Sequence, residues 1–431
     1  MAAAAAGAAM AVIPDWSRLP EDLILVVMKK LDIPAELFRA GTVCSSWYAA
    51  YSTARRVRIP IKDTAPCLLY SCQADDDPSA AALYSPSTGA CFRIRLPDPP
   101  LRGRALVGSA HGWLVAADHE SNLHLVNPLT GTQLALPPVT GLHHAESFLD
   151  HQGNLMYNLQ ESLDLDTVQE GPVSYPARRL RHFLYRRVIV SCSPSMGRRC
   201  IVLLLHRPDG QLSFARLGDA RWTKVACSDS LKWNIGYRDA LYNDKDGLFY
   251  LLACDCSITT LDLHGSLPPV AREVIKGSTL WDDPTKYIVL APWGDLLEVW
   301  RVRFMEEPTT TAKSSMELPS KVVTEEFWIY KVDTDEQKLV RIMSIGDHAL
   351  FLGFNSVLCL STKDFPTLRP DCAYLTDDFH EETCTHEHNW REIGIWDFKT
   401  KSYTMESLGD VQSLHPWMNW PSPIWVTPSI N

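Results

Sequence analysis

Two hydrophobic rhythms divide this chain. Between residues 16 and 54, apolar side chains recur every three or four positions. From about residue 65 onward they fall in short alternating runs broken by glycine and proline. The switch marks a domain boundary near Arg58–Lys62. In the first part, Leu19, Leu23, Ile24, Val27, Met28 and Leu31 share one stripe of a helix predicted over Pro20–Leu31. Pro20 suits its first position, Glu21 and Asp22 its first turn, and Lys29 and Lys30 its last, as the helix dipole favours. A second short helix is predicted from Pro34 to Gly41, with Gly41 as a left-handed C-terminal cap. Thr42 caps a third, which puts Val43, Cys44, Trp47, Tyr48 and Tyr51 on one face. Three helices in ~40 residues cannot bury all of this apolar surface among themselves. The surplus needs a partner, either the rest of the chain or another protein.

The second part repeats. Leu83-Tyr84-Ser85-Pro86-x-Thr88-Gly89 leads to Leu96-Pro97, and Leu125-Val126-Asn127-Pro128-x-Thr130-Gly131 leads to Leu136-Pro137, a Gly-to-Gly spacing of 42 residues. Each copy is a strand, a tight turn and a second strand. Looser copies follow at Ile329–Ile342 and Ile395–Thr404, with paired strands between them. A period of ~40–50 residues built from hairpins predicts a β-propeller rather than a sandwich. The expected blades are residues 67–97, 104–138, 183–227, 235–275, 286–343 and 349–404, about six. Residues 140–182 are expected to be an insertion, with a seventh blade possible there. The fold class is therefore mainly β with a small all-α N-terminal domain.

Two family resemblances enter on these residues. Trp16-Ser17-x-Leu19-Pro20-x-Asp22-Leu23-Ile24, then Leu31, then Leu37-Phe38-Arg39-x-x-x-Val43-Cys44-x-x-Trp47 resembles an F-box, with Tyr48 where the family often has Arg. The resemblance implies docking on a Skp-type adaptor, and through it on a cullin-RING ligase. It implies a docking face of Leu19, Pro20, Leu23, Ile24, Val27, Leu31, Val43, Cys44 and Trp47. A helical cap on the β domain is the alternative. The strand motifs Tyr287–Leu290, Leu296–Val299, Phe327–Tyr330, Ala349–Gly353, Asp364-Phe365-Pro366, Cys372–Asp378 and Ile395–Phe398 resemble the plant F-box-associated Kelch-like β-propeller, domain of unknown function 295. Propellers joined to F-boxes are expected to recruit protein substrates.

Composition narrows the partners. The net charge is −10, and residues 15–58 are net +2, so the acidic excess lies in the repeats. An acidic chain argues against a nucleic-acid coat. No apolar run approaches the ~20 residues of a membrane helix. Twelve scattered cysteines and no Asn-x-Ser/Thr sequon favour a reducing nuclear or cytoplasmic setting. The Ala-rich start, residues 1–14, lacks the basic n-region and Leu-rich core of a signal peptide and is expected to be a disordered tail.

Four clusters invite chemistry. His380-Glu381-Glu382-x-Cys384-x-His386-Glu387-His388 has metal-ligand residue types but no closed tetrahedral spacing, and a solvated loop is expected. Asn243–Gly247 mimics part of a calcium loop but lacks the distal Glu, so a hairpin turn is expected. Cys254-Asp255-Cys256 is too close for a redox pair and should place two cysteines on one buried strand face. Arg178, Arg179, Arg181, Arg186 and Arg187 crowd around His182 and Tyr185, either as an acidic-ligand site or as a solvated loop. The recurrent tryptophans are expected mostly in blade cores. No nucleophile elbow, phosphate loop or zincin motif occurs. The reading is a non-catalytic substrate receptor of a ubiquitin ligase with no cofactor, no catalytic and no metal residue. The alternatives are an F-box scaffold without a ubiquitination role and a metal-dependent propeller enzyme using the His380–His388 cluster. Domains are expected at 15–58 and 65–431.

Overall fold

The computed structural model describes residues 15–28, 39–56, 65–72, 77–160, 171–208, 210–225, 236–265, 269–277, 284–306, 321–379, 390–404 and 420–429. The chain divides into two compact units, Met1–Thr64 and Ala65–Ser429.

The first unit opens with a 3-10 turn, Trp16–Arg18, capped by the Asp15 carboxylate, which accepts from Ser17 N. Helix α1 (Glu21–Met28) packs against α2 (Ser45–Arg56). Two details differ from expectation. Thr42 does not cap the last helix: its hydroxyl donates back to Arg39 O at 2.8 Å, and Cys44 O accepts the first helical bond, from Tyr48 N. Gly41 has no left-handed backbone. A Cβ there would lie 2.7–3.0 Å from the Tyr51 side chain, so glycine serves close packing.

The second unit is a ring of blades. Blade one holds β1 (Cys67–Ser71), β2 (Ala80–Tyr84) and β3 (Cys91–Arg95). Blade two holds β4 (Ala105–Ala110), β5 (Trp113–Ala117), β6 (Leu123–Val126) and β7 (Gln133–Ala135). A three-stranded sheet follows, β8 (Ala145–Leu149), β9 (Leu155–Leu159) and β10 (Val173–Pro176), with the short helix α3 (Ala177–Leu180). Blade three is β11 (Tyr185–Val190), β12 (Ile201–His206), β13 (Gln211–Arg216) and β14 (Thr223–Lys224). Blade four is β15 (Tyr237–Asn243), β16 (Leu248–Ala253), β17 (Ile258–Asp262) and β18 (Val270–Ile275). Blade five is β19 (Thr285–Leu290), β20 (Leu296–Glu306), β21 (Lys321–Asp333) and β22 (Lys338–Ile342). Blade six has five strands, β23 (His348–Leu352), β24 (Leu358–Ser361), β25 (Cys372–Leu375), β26 (Gly394–Asp397) and β27 (Ser402–Thr404). A last strand, β28 (Ile424–Val426), pairs antiparallel with β1.

The innermost strands β28, β4, β11, β15, β19 and β24 follow one another around the axis. Because β4 neighbours β11 directly, the β8–β10 sheet is an insertion and not a seventh blade. It packs through Ala145, Tyr157 and Leu159 on blades two and three. Blade six closes on blade one through Phe351, Tyr374, Leu68 and Trp425. Burial follows radius. All six residues of β12 are buried because neighbouring blades cover both faces, whereas the outer strand β3 alternates. Trp113, Trp222, Trp396 and Trp425 lie in these interfaces, Trp300 is buried against Tyr330 of its own blade, and Trp293 is exposed.

One turn recurs. Position one is Ser85, Asn127, Asn243, Asp333 or Asp397, and position five, always at positive φ, is Gly89, Gly131, Gly247, Gln337 or Lys401. In four of these turns the first side chain accepts from the amide two residues on: Asn127 from Leu129, Asn243 from Lys245, Asp333 from Asp335 and Asp397 from Lys399. Asn243–Gly247 is thus the expected hairpin turn.

Candidate functional site

The helical unit sorts its apolar residues into two sets. Ile24 and Met28 on α1 and Trp47, Ala50 and Tyr51 on α2 are buried. The Trp47 indole N–H donates to Trp16 O at 2.9 Å and ties the opening turn to α2. Leu23 and Val43, by contrast, are 51% and 61% exposed. Pro20 is exposed, and Leu19, Val27 and Cys44 are half-buried. Of the expected docking face, Ile24 at 0% and Trp47 at 8% exposure therefore point inward, since apolar neighbours already cover them. Leu31 lies outside the described residues. Trp16, Val26 and Tyr48 are exposed and were not in the expected set.

In the propeller, the loop 353–357 of blade six crosses the central channel. Gly353 O accepts from Arg187 Nη1 of β11 at 2.6 Å, and Ser356 N donates to Ser109 O of β4 at 2.9 Å. A Cβ on Gly353 would sit 2.0 Å from Thr376 Oγ1, so only glycine lets the loop pass. On one side of this plug lies a buried charge network. Asp378 is its hub, with Tyr287 OH at 3.0 Å, Arg303 Nη2 at 2.6 Å, and Arg187 Nη2 and Arg301 Nη1 each at 3.4 Å. Arg187 also faces Asp239 at 3.5 Å, and Arg301 Nη2 faces Glu392 at 2.6 Å. Thr324 donates to Glu392 through both its amide and its hydroxyl. Blades three, four, five and six are joined by this set. Burial alone would raise Asp378, yet Arg303, Arg187 and Arg301 hold it below its ordinary value. Burial does raise Asp239 and Asp377, against the pull of their arginines.

On the other side of the plug, where β4, β11 and β15 end, lies a cavity of about 200 Å³. Its floor includes the plug residues Asn355–Val357, and Trp425 of β28 forms part of the wall.

The other sequence candidates disperse. The arginine cluster splits: Arg187 enters the charge network, Arg181 packs over Trp420 and donates to Gly103 O at 2.7 Å, and Arg178 and Arg179 are exposed on α3. Cys254 and Cys256 do not share a strand face. β16 stops at Ala253, and Cys256 takes a positive φ in the following turn, which buries Cys256 and leaves Cys254 half-buried. Residues 380–388 lie outside the described residues. Among the described residues, no three His, Cys, Asp or Glu side chains are grouped to hold a metal, and no helix is long and apolar enough to cross a membrane. The network itself was missed, although a signal existed: arginines inside an apolar strand, Val299-Trp300-Arg301-Val302-Arg303, are costly unless paired.

Comparison with known families agrees with this architecture. Residues 83–397 match the KIB1-4 β-propeller model, more than half of the chain. The chain belongs to the KIB1-4 β-propeller family. Residues 16–56 match the F-box-like model and span the opening turn through α2. The chain is similar to Arabidopsis thaliana F-box proteins over most of its length. F-box protein SKIP23 is 22% identical, with 96% of each chain covered. F-box protein At2g17036 is 22% identical over 96% of this chain and 95% of its own. F-box only protein 7 is 24% identical over 78% of each. The KIB1-4 match runs from β2 to β26 and omits β1 and β28, the pair that closes the ring.

Proposed function

We propose that this chain is the substrate-recognition subunit of a Skp-cullin-F-box ubiquitin ligase, working in the nucleus or cytoplasm. The F-box unit docks a Skp-type adaptor, and the propeller holds a protein target near the ubiquitin-loaded enzyme. The chain's role is proximity: it raises the effective concentration of target lysines beside a thioester formed elsewhere. The observation that carries the reading is the exposed apolar set on a matched F-box unit. Leu23 and Val43 stand in solvent while the interior is already filled by Ile24, Met28 and Ala50. Leu19, Pro20, Val27 and Cys44 complete the proposed face, and the buried Ile24 and Trp47 hold it in shape.

The test is binding of the full-length chain to a purified plant Skp adaptor. Leu23→Ala combined with Val43→Ala should weaken binding by about tenfold or more, as for central apolar anchors. Propeller unfolding should not change. If unfolding temperature falls in step with binding, the helices are a structural cap and the receptor reading fails. A reconstituted ligase should then ubiquitinate a propeller-bound target only when the adaptor interface is intact.

A further inference from the structure

Blade three holds two cysteines where its first hairpin leaves the ladder. β11 and β12 pair as far as Val190↔Val202, and one step beyond, Ser191 N donates to Ile201 O at 2.9 Å. The next step in that register sets Cys192 opposite Cys200. Directly opposed residues of an antiparallel pair alternate between hydrogen-bonded and non-hydrogen-bonded positions. Ser191 and Ile201 take the first kind, so Cys192 and Cys200 take the second, where Cα atoms approach to about 4.5 Å. That separation falls within the range of about 4.4–6.8 Å that a disulfide spans. The side chains meet as well. Cys200 Sγ donates to Cys192 O at 3.3 Å. Burial pushes the Cys200 pKa up to about 12, and the neighbouring Cys192 thiol adds to the rise. Both thiols are free in this structure.

The pair is unequal in access. Cys200 is fully buried, whereas Cys192 is half-buried at the foot of the exposed loop 195–199. The reversal between them is held without either sulfur. Ser191 Oγ accepts from Ile201 N at 2.9 Å, Cys200 N donates to Gly197 O at 2.9 Å, and Gly197 supplies a φ of +60°. The backbone is therefore already in place for a bond between the sulfurs. An accessible thiol with a second thiol behind it is the usual layout of a reversible oxidation site.

We propose that Cys192 and Cys200 form such a site, with Cys192 as the attacking thiol and Cys200 as the resolving one. The oxidant is a small disulfide of the glutathione class. The Cys192 thiolate attacks one glutathione sulfur, which makes a mixed disulfide and releases one glutathione thiolate. Cys200 gives up its proton and attacks the Cys192 sulfur, and the second glutathione leaves. Two protein thiols and one glutathione disulfide become one protein disulfide and two glutathione thiols. The reverse exchange reopens the bond. When formed, it ties β11 to β12 at the end of β11 remote from Arg187.

The full-length chain is equilibrated with graded ratios of oxidised to reduced glutathione, blocked with iodoacetamide and digested with trypsin. Cleavage after Arg198 and Arg199 separates the cysteines, so the bond reads as a linked pair of peptides in mass spectrometry. The folded chain should give this pair, released by dithiothreitol and about tenfold more resistant to reduced glutathione than the same link in the urea-unfolded chain. By linkage, the oxidised chain should then unfold at a higher urea midpoint. Cys192→Ser should leave Cys200 without glutathione, and the wild-type measurements decide the matter if a variant fails to fold. The proposal is overturned by any of three results: no linked pair from the folded wild type, equal resistance in the folded and unfolded chains, or an unchanged or lower urea midpoint on oxidation.

Discussion

Position five of the recurrent turn shows how backbone and side chain divide the work. Gly131 is left-handed, and a Cβ added there would meet nothing within 4 Å. Replacement by alanine therefore costs only the backbone penalty, about 1–2 kcal/mol. Gln337 and Lys401 hold the same position at φ 52°, so the fold accepts that penalty twice. Gly353→Ala should cost more than Gly131→Ala in denaturant unfolding, because its Cβ would collide with Thr376. Equal costs would mean that the plug relaxes freely. Glu298 is a second residue-scale case. Burial pushes its pKa up to about 7, despite the Trp300 N–H at 2.9 Å and the nearby Lys286, and its Oε1 has no partner. A carboxyl raised in the folded state adds stability at low pH and loses it as pH climbs from 4.5 to about 7. Glu298→Gln should thus match wild type near pH 5 and exceed it at pH 8, by on the order of 3 kcal/mol at most. A pH-independent difference in melting temperature would refute the burial argument.

Among the elements, β28 decides whether the ring is closed. It pairs with β1 through Leu68↔Trp425, and Trp425 packs against Phe351 and Tyr374 of blade six. Removing residues 420–431 should leave β1 as an unpaired inner edge and expose Leu68. Hydrogen exchange is expected to rise first in β1 and β4 while blades three to five stay protected. Uniform loss of protection would show instead that the blades unfold as one unit. The hairpins themselves were legible in the chain, because a turn such as Asn127–Gly131 is specified by residues that touch each other. Helix ends were less so. Thr42 and Gly41 carry the right chemistry for caps, but Arg39 and the Tyr51 ring claim them instead. The inner strands also escaped simple alternation. β-bulges at Tyr185/Arg187 and Tyr237/Asp239 insert a residue just where Arg187 and Asp239 meet the channel.

Across the whole molecule, the charge network works as a bolt through four blades. Its members are distant in sequence: Arg187 and Asp378 are 191 residues apart, and Arg301 and Glu392 are 91 apart. Asp378→Asn would leave three arginines facing a neutral hub. Breaking a buried pair in this way costs about 3–5 kcal/mol. The loss should appear in the propeller's melting temperature at pH 7 and shrink as pH falls through the depressed Asp378 pKa, where wild type loses the same charge. A variant as stable as wild type at pH 7 would show that the arginines find other partners.

What the sequence by itself determined was local. Helical period followed by hairpin period showed a small helical unit, about six blades and an insertion at 140–182, because turns and amphipathic faces are encoded within a few residues; the F-box reading came from the resemblance of residues 16–47 to that family. The F-box resemblance put Leu23 and Val43 on one expected face with Ile24 and Trp47, and spacing did not distinguish the exposed pair from the buried one. Only the tertiary structure decided which residues of that stripe face inward. It alone placed β28 beside β1, 349 residues from Ser71 to Trp420, and gathered Arg187, Asp239, Arg301 and Asp378 on one axis. The cavity beside Asn355 and Trp425 is of the same kind. Closing a ring joins residues whose separation along the chain carries no periodic trace, so burial and pairing at the axis follow from closure and not from pattern.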